Sequence, residues 1–425
     1  MRIQRIHIKN YRALDDIVIN FNNQLNIFYG MNGSGKSSII YSICDMLSLF
    51  NHFIIDKKNN ISNYKNIVVL TEDRMQDAKK EAKICIEFDN KASILLEKNI
   101  DYDQGIQEEI QESSGHFFLR DGSFFTYTNI SEPVSYYAFI PGIAQPRIQD
   151  IEGGSNQIQI KIERLPFFVN SRGIQEYAFF RDQIISLLHL ENKKRLQSIE
   201  EGNVEYVDPT LKLIRDSLKI IIEGFENITV DAKKNPIDRK YYDILMVKKN
   251  GRELSVDDQL SAGEACLTMF IAIISIHIME HQNSQSHIIL VDEIDASLHP
   301  EWQEKICSIV QSSFKEVQFI FTSHSPFTWA SVERECISLL EEKNGRIVQS
   351  HVDVAKGEYI KDIISKYFYV DNHDHEIDSL MNSAEDLIDD GKYDEAERII
   401  NNIYEKYGNI QIIDDLNTKI RILKR

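Results

Sequence analysis

Cysteine is scarce and poorly placed for cross-linking. The five present, Cys44, Cys85, Cys266, Cys307 and Cys336, lie far apart with no CxxC spacing, which argues against a disulfide scaffold or a cysteine zinc site and fits buried thiols in a reducing compartment. Long apolar runs are missing as well. The longest, around Met269 to Ile278, is shorter than the roughly 20 residues that span a bilayer, and its spacing is helical. Met1-Arg2-Ile3-Gln4-Arg5-Ile6-His7-Ile8 alternates like a half-buried strand and has no apolar core of a signal peptide, so a cytoplasmic protein without membrane contact is expected. Positive charge is in deficit: 48 Lys and Arg stand against 66 Asp and Glu, and the net charge of −18 repels nucleic acid on average. Only local basic clusters remain, Lys193-Lys194-Arg195 and Lys233-Lys234 with Arg239-Lys240. Coiled-coil arms are absent too, because the helical spacing over 174–226 breaks at Gly202 and Pro209.

What is present suits two or three globular domains: 425 residues, 42% of them hydrophobic. Residues 3–9, 16–20 and 25–29 read as short strands, the last breaking into Gly30-Met31-Asn32-Gly33-Ser34-Gly35-Lys36-Ser37 and then a helix to about Leu49. Two further strands, Ala82–Phe88 and Ala92–Asn99, flank a turn at Asp89-Asn90-Lys91. Residues of about 102–160 mix acidic, aromatic and Gly/Pro-rich pieces and read as a variable insertion. From 242 to 350 the pattern is α/β, and from 356 to 425 it is acidic and helical. Within that tail, two helices joined at Asp390-Gly391 look like one pair of a repeat, and Leu387, Ile388, Ala396 and Ile400 are expected to need cover from the main body, a sister subunit or a partner.

Gly30-x4-Gly35-Lys36-Ser37 fits a phosphate loop, with the strand before it and the helix after it that the pattern requires. The loop residues Gly30, Asn32, Gly33, Ser34, Gly35, Lys36, Ser37 and Ser38 are the nucleotide-binding candidates: backbone N–H groups for phosphate oxygens, Lys36 for the β/γ-phosphates, Ser37 for Mg2+. Without a phosphate, Lys36 is expected to be solvated. His287-Ile288-Ile289-Leu290-Val291 is a continuous apolar run ending in Asp292-Glu293, where Asp292 suits the metal shell and Glu293 the attacking water. Leu260-Ser261-Ala262-Gly263-Glu264 opens a helix and puts Ser261 and the glycine N–H at its N-terminus. Phe319-Ile320-Phe321-Thr322-Ser323-His324 is a second buried strand, and it delivers His324 to the same sheet edge.

In this order the four motifs resemble the ABC ATPases over about residues 1–350. The resemblance implies an α/β fold: an ABC-type P-loop ATPase head with a mixed or parallel sheet, a helical lobe and a small helical C-terminal extension. The corresponding domains are 1–180, 181–245, 246–355 and 356–425. It also implies ATP and Mg2+ as cofactors, catalytic roles for Glu293 and His324, and head-to-tail pairing. In that pairing Ser261 of one subunit, with Gly263 and Glu264, meets the nucleotide held by Lys36 of the other. The string Asp292-Glu293-Ile294-Asp295-Ala296-Ser297-Leu298-His299-Pro300, followed by Trp302-Gln303, departs from transporter ATPases and is similar to the stand-alone ATPases of phage-defence operons, Septu PtuA and its retron-associated relatives. Such a family implies a homodimer or higher homo-oligomer, a separate PtuB-like HNH nuclease partner and at most indirect contact with DNA. A glutamine-loop residue is expected near Asn170 or Gln175. His373-x-His375 reads as an exposed acidic loop rather than a metal site. Two other readings stand beside this one: an SMC-like repair or DNA-structuring ATPase acting directly on DNA, and a protein that holds nucleotide with little turnover.

Overall fold

The computed structural model describes residues 1–59, 75–77, 80–98, 116–118, 123–130, 132, 134–139, 146–147, 161–162, 174–204, 206–234, 239, 241–284, 287–296, 298–350, 352–353, 356–368, 375–407 and 411–423. These form two compact units, Met1–Glu358 and Tyr359–Arg425.

The larger unit opens with β1 (Ile3–Tyr11), β2 (Leu14–Asn20) and β3 (Leu25–Gly30), and β3 leads through residues 31–35 into α1 (Lys36–Asn59). Then come β4 (Ala82–Phe88), β5 (Ser93–Lys98), β6 (His116–Phe118), β7 (Ser123–Thr128), β8 (Tyr136–Phe139), and the short pair β9 (Pro146–Arg147) and β10 (Lys161–Ile162). The helices α2 (Ile174–Glu200) and α3 (Pro209–Ile221) precede a meander of β11 (Phe225–Lys234), β12 (Tyr241–Lys249) and β13 (Arg252–Ser255). The chain closes the unit with α4 (Ala262–Glu280), β14 (His287–Val291), α5 (Pro300–Ser313), β15 (Val317–Thr322), α6 (Pro326–Ala330), β16 (Ile337–Lys343) and β17 (Arg346–Ser350).

Two six-stranded sheets result. The first, ordered β2-β1-β4-β5-β7-β6, is antiparallel throughout. The second, ordered β17-β16-β3-β15-β14-β8, is parallel except for β17. Its central strands β14 and β15 are buried at every residue, which is why they read as unbroken apolar runs: a strand covered on both faces has no polar side to alternate with. By contrast β1 and β4 alternate, because only one face of the antiparallel sheet lies against α1. Ile39, Ile43, Met46, Leu47 and Phe50 of α1 join Ile6, Ile84 and Ile94 of the first sheet and Ile288, Leu290 and Ile320 of the second in one core, so α1 is the middle layer. This is the α/β ATPase-head architecture expected from the motifs.

Three differences from the sequence reading follow from contacts that are far apart in the chain. The stretch of about 102–160, read as a variable insertion, contributes strands to both sheets: β7 extends the antiparallel sheet, and β8 pairs with β14 at the edge of the parallel one. The meander β11–β13 begins at Phe225, inside the stretch read as the helical lobe. The helix α4, at 19 residues, is long and apolar enough to cross a membrane by length and composition, contrary to the shorter run expected. Leu267 to His277 are nevertheless all buried within the unit, as in the core helix of a globular fold.

The smaller unit contains α7 (Ile360–Ile363), α8 (His375–Asp389), α9 (Tyr393–Tyr407) and α10 (Gln411–Leu423). Here the sequence reading needs correction. The pair α8–α9 is covered by α10, and Ala384, Ile388, Ala396, Ile400, Ile403, Ile413, Leu416 and Ile420 form a core within the unit.

Candidate functional site

Three neighbouring parallel strands end on the same side of the second sheet. β3 stops at Gly30, β15 beside it stops at Thr322, and β14 beyond that gives way to Asp292 and Glu293. The carboxyl edge of a parallel sheet is where ligands bind in such folds.

The loop after β3 is held tightly. Gly30 has φ +149°, and a Cβ there would stand 2.4 Å from the carbonyl oxygen of Leu340; Gly35 has φ +85°, and its Cβ would stand 2.6 Å from Leu14 Cδ2. Both positions therefore demand glycine. Asn32 and Gly33 are exposed at the tip, while Ser34 and Ser38 are buried beneath it. Lys36 is not solvated as the sequence reading expected: it is only 5% exposed, and its ammonium donates to the carbonyls of Gly30 at 2.7 Å and Met31 at 2.9 Å. Burial lowers its pKa to about 8, against the opposing pull of Asp292, Glu293 and Asp295. The curled carbonyls of the loop are the acceptors that hold this charge.

Ser37 donates from Oγ to Asp292 Oδ1 at 3.1 Å, so two hard oxygen donors meet, one from the first turn of α1 and one from the end of β14. This pair suits Mg2+, which keeps most of its waters and takes one or two protein oxygens. The hydroxyl of Thr322 donates to the same Asp292 oxygen and accepts the Glu293 N–H at 2.7 Å. Glu293 takes a left-handed turn, φ +57°, which is rare for a residue with a side chain and common at working sites. The residue is exposed by area, yet partial desolvation of its carboxyl raises its pKa above the ordinary value, helped by Asp292 and Asp295 and opposed by Lys36.

His324 is half-buried next to them. Its backbone N–H donates to both carboxylate oxygens of Asp295, at 3.2 and 3.3 Å. Burial and then Lys36 lower its imidazole pKa, outweighing Asp295 and Asp292, so the ring is neutral near pH 7. Gln303 fixes the turn between Asp295 and Leu298 by donating to both of their carbonyls, at 3.1 and 2.8 Å, and accepts from Ser325 Oγ at 2.6 Å. Thr322, Asp295 and Gln303 therefore shape the edge, although the sequence reading gave them no role.

Ser261, Gly263 and Glu264 are placed differently. Ser261 is the N-cap of α4 in a capping box: its hydroxyl accepts the Glu264 N–H at 3.3 Å and donates to Glu264 Oε2 at 2.9 Å. Gly263 packs against Trp302 of α5, where an added Cβ would lie 3.1 Å from Cδ1. Among the described residues, no hydrogen bond of these three reaches the phosphate loop. The structure thus gathers Lys36, Ser37, Asp292, Glu293 and His324 at one edge and leaves the signature turn, Leu260 to Glu264, outside that cluster. His299 is the exposed N-cap of α5. Asn170 and the side chains of Gln175, His373 and His375 lie outside the described residues.

The RecF/RecN/SMC N terminal domain family matches residues 2–348. A retron Vc95 probable ATPase from Vibrio cholerae serotype O1 biovar El Tor is 24% identical over 81% of this chain and 74% of its own length. The Septu protein PtuA of Bacillus mycoides is 23% identical over 86% of this chain and 44% of its own. Among solved structures, an Smc head bound to the C-winged helix domain of ScpA aligns with 83% of this chain and 98% of that one, at 16% identity and a TM-score of 0.44.

Proposed function

This chain belongs to the RecF/RecN/SMC N terminal domain family, and on that premise we propose that it is the ATP-binding and ATP-hydrolysing subunit of an anti-phage defence system. It controls a separate HNH nuclease, PtuB-like in kind, through nucleotide-dependent self-association. The observation that carries the ATPase reading is the convergence of Lys36, Ser37, Asp292, Glu293 and His324 on one sheet edge. The defence role follows the likeness to the retron and Septu proteins.

In this reading Lys36 leaves the loop carbonyls for the β- and γ-phosphates, and the loop N–H groups take the remaining oxygens. Ser37 and Asp292 would hold Mg2+, which when bound neutralises phosphate charge. Glu293 orients a water and takes its proton as the new bond to the γ-phosphorus forms and the bond to the ADP oxygen breaks. A neutral His324 donates to a γ-phosphate oxygen. The second site component, Ser261, comes from another copy.

Glu293→Gln tests the core of this proposal. The amide keeps the hydrogen bonds of the site but cannot accept the proton, so ATP affinity is expected to stay within about twofold while phosphate release falls by about 100-fold or more. ATP-bound pairs should accumulate, doubling the mass seen by light scattering. Wild-type turnover in this variant, or an unchanged mass with ATP, would sink the reading.

A second reading, direct action on DNA, draws on one feature. The free end of the β11–β12 ribbon exposes Lys233, Lys234 and Arg239 beside Tyr241 and Tyr242, a basic and aromatic tip on an acidic chain. Tight, salt-sensitive DNA binding by the ATP-bound protein without any partner would favour it.

A further inference from the structure

The signature turn carries an acid, and the structure shows what balances it. Glu264 Oε2 accepts from the Ser261 N–H at 3.3 Å and from its hydroxyl at 2.9 Å, while Oε1 takes the ammonium of Lys249 at 2.5 Å. Both partners are largely shielded, their side chains 24% and 13% exposed. Burial alone would raise the Glu264 carboxyl, but the hydrogen bonds from Lys249 and Ser261 outweigh it and hold the group below its ordinary range, as an anion.

Lys249 is itself rigidly set. It ends β12 and pairs with Arg252 of β13 across Asn250-Gly251, both at positive φ (49° and 72°), the tight turn whose twist suits a hairpin. On its other side it pairs with Phe225 of β11. The cation therefore arrives from the β11–β13 meander, at a strand end paired on both sides.

The consequence is electrostatic. The N-terminus of α4 offers N–H groups and a positive dipole end to an anion, but a bare carboxylate one turn in would cancel that attraction and repel a triphosphate. We propose that Lys249 is the positioning residue of the signature turn. It holds the Glu264 carboxylate so that Ser261 stays capped, and it neutralises the acid that would otherwise face a nucleotide bound to a second copy of this chain. The proposal rests on the reading in which Ser261 meets that nucleotide.

Four variants in the Glu293→Gln background decide it: Lys249→Met, Lys249→Arg, Glu264→Gln, and Lys249→Met with Glu264→Gln. Three quantities are read for each: affinity for a fluorescent ATP analogue, ATP-dependent association by sedimentation, and thermal midpoint. Lys249→Met is expected to keep ATP affinity within about twofold but weaken ATP-dependent association about tenfold or more, because the charge left behind is a carboxylate, of the same sign as the nucleotide of the second copy. Lys249→Arg and Glu264→Gln should associate nearly as the parent does. The double variant should recover most of the association lost by Lys249→Met, since no unpaired acid remains. Normal association of Lys249→Met overturns the proposal. So does a double variant that regains its thermal midpoint but not its association, which would make the pair merely structural. Ser261→Arg provides the reference: if it associates normally, the signature reading falls and this proposal with it. If Ser261→Arg is blocked while Lys249→Met is not, only the proposal falls.

Discussion

At the scale of single residues, Lys36 shows how a buried ammonium can weigh against the fold that holds it. Its pKa drops from 10.5 to about 8 because burial disfavours the ammonium more than the loop carbonyls and nearby acids favour it. The sign follows by linkage. An unfolded chain keeps that proton to about pH 10.5 while the folded one releases it near 8, so the lysine destabilises the fold below pH 8, and this penalty fades between 8 and 10.5. Lys36→Met keeps the buried stem and removes the charge. At pH 7 the nucleotide-free variant is expected to melt about 2–4 °C higher, roughly 1 kcal/mol, and to lose ATP affinity about 100-fold or more. Scanning calorimetry with and without ATP checks both. A lower midpoint would mean that the two carbonyl contacts favour the lysine more than burial opposes it.

At the scale of elements, α4 and β14 meet through histidines that are kept neutral. Ser135 Oγ lies 3.1 Å from His277 Nε2 and 2.7 Å from His287 Nδ1, and at most one ring can accept its single proton. Burial, then His281 and His287, lowers His277 to about 3; burial, then His281 and the N-terminal ammonium, lowers His287 to about 4. Both folded values lie below the unfolded 6.5, so stability is intact above pH 6.5 and is lost as the pH falls from there toward 4 and 3. The loss approaches about 1.4 kcal/mol per pH unit for each ring. Urea unfolding at pH 7.5, 6.0 and 5.0 should show that slope, and His277→Leu with His287→Leu should flatten it; an unchanged slope would place the acid sensitivity elsewhere. Neither histidine is marked by a motif, and only folding brings residues 135, 277 and 287 together. The elements that could be read ahead share a local signature. β14 and β15 are unbroken apolar runs, α2 ends before Gly202 with φ +69°, and α3 starts at Pro209 under an Asp208 cap. Those that could not be read depend on distant partners. β8 is four residues long and is a strand only because β14 lies beside it, and α10 shows its purpose only once α8 and α9 need a third face. The same division holds at the site. The phosphate loop and the acids after β14 lie in contiguous strings, whereas Thr322, Asp295 and Gln303 gain their roles from a register and a turn that no spacing announces.

At the scale of the whole molecule, the central question is where Ser261 finds a phosphate. Its hydrogen bonds stay within its own capping box, while Lys36, Asp292 and Glu293 converge elsewhere on the unit. Two copies with a net charge of −18 each also repel one another at long range, so pairing must be assayed near physiological salt, where the Debye length is about 8 Å. Lys36→Met removes the phosphate grip of a subunit but leaves its signature turn intact. Ser261→Arg does the reverse, placing a bulky cation where a second subunit would close while leaving the phosphate loop untouched. Each variant alone should be inactive, because every composite site it builds carries one lesion. In a mixed head-to-tail pair the lesions segregate: one site receives both, and the other receives an intact Lys36 from the Ser261→Arg subunit and an intact Ser261 from the Lys36→Met subunit. Phosphate release per mixed pair should therefore return to half or so of the wild-type rate, each such pair having one sound site. Differently tagged subunits, purified through both tags, give that mixed population directly. A mixture that stays inactive although the mixed pairs are isolated would mean that Ser261 does not complete its neighbour's site or that both sites must act together. A pair with a single Glu293→Gln lesion separates these, since it retains half of the wild-type rate if the sites act independently and none if they are obligately coupled.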